Sequence, residues 1–126
     1  MKLLKFLNSI PPRHPHGALL IPLMQRAIDC GFDRYFRVGQ SMFEILFSTL
    51  DHHGIRDESH VRVNVEPPTK LQIAFHHQRN TRDPATLHSV EATDAFPTLT
   101  RHLQRLWMET QPEPLPEELR RPENYL

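Results

Sequence analysis

Imidazole is the one chemically versatile group that this sequence supplies in quantity, with nine histidines in 126 residues. A neutral imidazole binds Zn²⁺ or Cu²⁺ through a ring nitrogen. It also titrates near pH 6.5, so it serves as acid, base or pH-dependent charge. Four of the nine stand where elements begin or end. His60 opens one alternating segment, His76 closes the next, and His52 and His53 lie shortly before them. Antiparallel pairing of the two segments would set His60 opposite His76, with Cβ atoms about 4.5–5.5 Å apart. A metal site needs at least a third protein donor. His52, His53 and the carboxylates of Asp51 and Asp57 are the available supplements. His60, His76, His52 and His53 are therefore the candidate ligands, and zinc is the candidate ion. The plainer expectation is two histidines on a solvated strand face, with no cofactor.

Other chemistry is thinner. The triplet Asp51-His52-His53 resembles the motif that names the DHH phosphoesterases. The resemblance covers three residues, and the further aspartate and histidine motifs of those enzymes are missing, so no role is carried over. Cys30 is the single cysteine. It falls at the expected C-terminus of a helix, where the dipole raises a thiol pKa rather than lowering it. The sequence holds no glycine-rich phosphate loop, nucleophile elbow or paired metalloprotease histidines. Arg62, Asn64, Gln72, Arg79 and Arg82 could form a polar patch. No aromatic residue shares that strand face to stack a base, which argues against nucleic acid.

The elements that must position these groups are led by a hairpin. Residues 60–66 and 70–76 each alternate apolar and polar side chains, the pattern of half-buried strands. Pro67-Pro68-Thr69 separates them, and prolines cannot join the hydrogen-bond ladder. A one-residue slip moves every side chain to the other face, so the two apolar sets fix the register. Val65 must face Leu71, Val63 must face Ile73 and Val61 must face Phe75. Glu66 then faces Lys70, and His60 faces His76.

Helical spacing places a first helix from about Ala18 or Pro22 to Asp29, stopped by Gly31. Pro22 is expected in its first turn. The extended linker Pro11–Gly17 precedes it, after a short amphipathic turn over residues 1–10. Residues 33–39 read equally as strand or irregular connection. Ser41 and Glu44 have capping-box spacing. Phe43, Leu46, Phe47 and Leu50 follow on one stripe, so a second helix is expected from Ser41 to His53. The rival is a buried strand, because Phe43, Ile45 and Phe47 also alternate. Residues 78–85 read as a polar loop and Leu87–Ala92 as a third strand. A last helix begins at Thr93 or Asp94, capped by a side chain, and buries Phe96, Leu99, Leu103, Leu106 and Trp107.

The fold class expected is α+β: a two-layer sandwich of about three antiparallel strands covered by two or three helices. The domain spans residues 1–110, and residues 111–126 form a proline-rich extended tail. Leu115, Leu119, Tyr125 and Leu126 are available to strap that tail to the body. The hairpin's polar face is expected to meet solvent or a partner. Equal numbers of basic and acidic residues, 15 each, argue against a strongly basic nucleic-acid surface or membrane anchor. No apolar run approaches the ~20 residues of a membrane span. Asn8 and Ser9 interrupt the signal-like start. One cysteine fits a reducing compartment. The reading is a soluble, cytoplasmic, non-catalytic interaction or accessory module that engages another protein or itself. The alternative is a histidine-based metal-binding protein or small metallohydrolase.

Overall fold

The computed structural model describes residues 15–41, 44–49, 59–77 and 84–120. The expected features over residues 1–14, 42–43, 50–58, 78–83 and 121–126 lie outside them.

The hairpin forms in the register that alternation demands. Strand β3 (His60–Glu66) pairs antiparallel with β4 (Lys70–His76), with Val65 against Leu71, Val63 against Ile73, Val61 against Phe75 and His60 against His76. The Pro67–Pro68 peptide in its turn is cis.

This hairpin is the middle of a five-stranded sheet, not of three strands. The other members are β1 (Phe36–Ser41), β2 (Glu44–Thr49) and β5 (Thr86–Glu91), all antiparallel and in the spatial order β1-β2-β3-β4-β5. The second helix expected from Ser41 is replaced by β1 and β2. Ser41 and Glu44 are not cap and counter-cap; they are opposed residues of a hairpin. Leu46 and Phe47 are not neighbours on one helical stripe but point to opposite faces, and both are buried. A strand covered on both sides is apolar at successive positions, which mimics helical spacing over so short a run.

The helix α1 runs over Pro15–Asp29, beginning earlier than expected. Pro22 lies mid-helix instead of in the first turn. Its ring lies on the exposed side, and the helix forgoes one backbone hydrogen bond there. Leu20, Leu23, Met24 and Ala27 are buried at helical spacing. Gly31 ends the run with φ 81°, the left-handed conformation that glycine adopts without penalty. A short 3-10 turn, Phe32–Arg34, leads into β1.

The last long helix, α2 (Ala95–Thr110), follows β5 through a 3-10 turn at Ala92–Asp94. Asp94 occupies the cap position but makes no side-chain cap bond, contrary to expectation. The preceding turn supplies the entry instead, with Ala95 N–H bonded to the Ala92 carbonyl. Helices α1 and α2 pack on one sheet face around Val38, Ile45, Phe47, Val61, Val63, Leu71, Ile73 and Phe75. Each such side chain contributes roughly 1.5–3 kcal/mol on burial. Phe32 and Phe96 stack at 5.6 Å, and the Arg26 guanidinium lies 4.2 Å over the Phe96 ring, clamping α1 to α2.

Residues Gln111–Pro116 carry no helix or strand, and a single turn, α3 (Glu117–Arg120), follows. This segment is fastened to the body. Leu119 is fully buried in the core. Trp107 Nε1 donates to the Glu113 and Pro114 carbonyls, and the Tyr35 hydroxyl donates to Glu118 at 2.7 Å.

Candidate functional site

Strand parity sorts the histidines onto two faces. His60 and His76 share the face turned away from the helices, in the next row from Leu46, Arg62 and Ala74. That face was expected to meet solvent or a partner. At its centre it is closed: His60 is 2% exposed and His76 7%, and Leu46, Ser48 and Ala74 are buried with them. The two imidazoles stack, with centroids 4.9 Å apart and planes within 4°.

Arg62 shapes this cluster. Its guanidinium can only donate, so the contact of 3.4 Å to His60 Nε2 makes that nitrogen the acceptor. Glu44 balances the Arg62 charge at 3.5 Å. Burial pushes the His76 pKa down to about 4, and the neighbouring His60 and Arg62 push the same way. His76 is therefore neutral at pH 7. Ser48 lies on the same face and is fully buried, and among the described residues its hydroxyl has no hydrogen-bond partner. An unsatisfied buried hydroxyl costs roughly 1–3 kcal/mol.

Of the four candidate ligands, the structure brings His60 and His76 together, and His52 and His53 lie outside the described residues. An ion held by two imidazoles must lie near the plane of both rings. Parallel stacked rings offer no such shared position, and a cation there would face Arg62. Among the described residues, no three His, Cys, Asp or Glu side chains gather closely enough to hold a metal ion.

The helix-side face carries a second pair that sequence reasoning missed. His88 sits in β5 opposite Ile73, and His102 lies in α2 beside the buried Leu103. His88 Nδ1 is 3.4 Å from His102 Nε2, with the rings at 85° to each other. Thr86 Oγ1 lies 3.3 Å from the same Nε2. His102 Nδ1 is 2.8 Å from the Thr98 carbonyl one turn earlier. A carbonyl only accepts, so Nδ1 carries the proton and Nε2 presents its lone pair to His88 and Thr86. Burial lowers the His102 pKa, partly opposed by the Thr98 bond. The signal in the sequence was strand parity: Val90 and His88 share a face, and helical spacing puts His102 beside the Leu99–Leu103 stripe.

His77 at the end of β4 is exposed and lies 3.4 Å from Glu109 and 3.3 Å from Arg105. Arg105 also lies 4.3 Å over the Phe75 ring, so this group ties the sheet end to α2. Cys30 borders an open cleft of about 420 Å³ lined by Asp29, Gly31, Asp33, Arg34 and Glu118. Burial raises the thiol pKa, which opposes a nucleophilic role. Among the described residues, no helix is long and apolar enough to cross a membrane.

Comparison of the chain with protein-family models, with curated proteins and with solved structures returned no match.

Proposed function

We propose that this chain is a non-catalytic interaction module that assembles with a second copy of itself along the edge of β5, which pairs with no further strand among the described residues. The observation that carries the reading is the state of that edge. β5 ends the strand order, and Leu87, His88 and Ser89 are exposed in succession, with Leu87 at 53%. The bond from Ala92 N–H to the Thr69 carbonyl fixes the phase of the ladder to β4. Thr86, His88 and Val90 spend their backbone groups on β4, and Leu87, Ser89 and Glu91 turn theirs outward. Neither lysine nor proline, two usual defences of an edge, occurs between Thr86 and Val90.

Charge favours a second copy as the occupant. Antiparallel pairing of β5 with its twin about His88 sets Leu87 against Ser89 and Thr86 against Val90. Glu91, the one charged residue of the strand, then falls opposite Ala85 and meets no like charge. Pairing of this kind draws its affinity from main-chain bonds and its register from alternate side chains.

Light scattering coupled to gel filtration tests the proposal. Wild-type protein should run as a dimer that dissociates on dilution. Ser89→Pro removes an outward N–H, and Leu87→Lys places a charge on the edge. Both should give monomers with unchanged circular dichroism. A wild-type monomer at every concentration, or a dimer indifferent to both substitutions, rejects edge assembly.

A further inference from the structure

We infer that His88 and His102, with the Thr86 hydroxyl, form a site for a divalent transition ion of the zinc or copper class. The spacing of the donors is the first argument. Zinc–nitrogen bonds of about 2.0–2.1 Å in tetrahedral geometry separate adjacent donors by about 3.3 Å. His88 Nδ1 lies 3.4 Å from His102 Nε2, and Thr86 Oγ1 lies 3.3 Å from the same nitrogen. His88 and Thr86 thus each stand at coordination spacing from His102 Nε2.

Orientation is the second argument. The ring planes cross at 85°, so they share a line on which one ion lies in both planes. The stacked His60–His76 pair, at 4°, has no such line. His102 is held by its Nδ1 bond to the Thr98 carbonyl, the outer partner that typically fixes the tautomer of a ligating histidine. The lone pair needed for coordination is therefore already directed at the site.

Access is the third. His102 is buried, whereas His88 is exposed, so an ion reaches the pair from solvent past the β5 side chains. Two nitrogens and a hydroxyl leave the remaining positions to water. On binding, the His88 proton moves from Nδ1 to Nε2, so the two rings together release no proton. Imidazole donors select zinc or copper over magnesium or calcium. The described residues add no third His, Cys, Asp or Glu, which makes this an exchangeable site and not a buried structural one.

Calorimetric titration of untagged, metal-free full-length chain with Zn²⁺, followed by imidazole ¹⁵N spectra, tests the site. One ion per chain should bind, shifting the His88 Nδ1 and His102 Nε2 resonances. His88→Ala should weaken binding by at least the ~10–100-fold that loss of even an outer partner costs. His77→Ala should bind as wild type does. Because both ligands belong to one chain, Leu87→Lys should also bind as wild type, which separates this site from edge assembly. No binding, binding that survives His88→Ala, or resonance shifts confined to other histidines would each overturn the inference.

Discussion

Replacing His76 with glutamine should flatten the acid dependence of stability. The buried His76 imidazole has a pKa of about 4 in the folded chain, held down first by burial and then by His60 and Arg62. In the unfolded chain it returns to about 6.5. Above pH 6.5 the ring is neutral in both states and contributes no pH dependence. Between pH 6.5 and 4 the unfolded chain takes up a proton that the folded chain refuses. The unfolded state then binds more protons, so stability falls as the pH falls through that window. At 1.36 kcal/mol per pKa unit the full loss is about 3 kcal/mol, complete once the pH has fallen through the folded value of about 4. Urea denaturation at half-unit steps from pH 7.5 to 4.5 measures it. Carboxylates and the other histidines titrate over the same range, so the informative quantity is the difference in slope between wild type and His76→Gln. That difference should approach about 1.4 kcal/mol per pH unit in mid-window. Parallel slopes, or a His76 ring that titrates near pH 6.5 in the folded chain by NMR, would refute the reasoning.

Two further outcomes follow from burial. Leu119→Ala should destabilise the chain by about 2–5 kcal/mol in denaturant melts, because a fully buried leucine is lost from the core. An unchanged midpoint would show that α3 does not contribute to the fold. Cys30, buried and with its thiol pKa raised, should react with a disulfide reagent only at the rate of global or local opening. Labelling as fast as that of a free thiol would contradict its placement.

The central hairpin was legible residue by residue because alternation fixes parity, bringing Val61, Val63 and Val65 to the same side as Leu71, Ile73 and Phe75, and the short turn at 67–69 selects the register. A one-residue slip would turn three apolar side chains to the wrong face. β2 was legible only as the rival to a helix. Ile45 and Phe47 alternate and face the helices, but Leu46 and Ser48 are buried on the reverse face, so the alternation competed with helical spacing. Ser41 and Glu44 misled because capping-box spacing also fits two residues facing each other across a tight hairpin. Pro22 misled because a proline on an exposed helix side costs one bond, which the buried Leu20, Leu23 and Met24 outweigh. Among the sites, the contact of His60 with His76 could be read from register alone. Its burial could not, since nothing local reports what lies over a sheet face. The contact of His88 with His102 joins a strand to a helix 14 residues on, and it exists only once α2 has docked.

Every strand in this sheet pairs with its neighbour in sequence, and the two long helices stand at opposite ends of that meander. The ribbon can therefore assemble progressively from nearby contacts, which favours rapid folding. Its hydrophobic side, however, stays half uncovered until Leu99, Leu103 and Leu106 arrive. On a ribosome adding about 5–20 residues per second, that interval lasts seconds. A nascent chain caught there presents a finished sheet with a wet apolar floor, the moment at which this molecule is most open to chaperones and to aggregation.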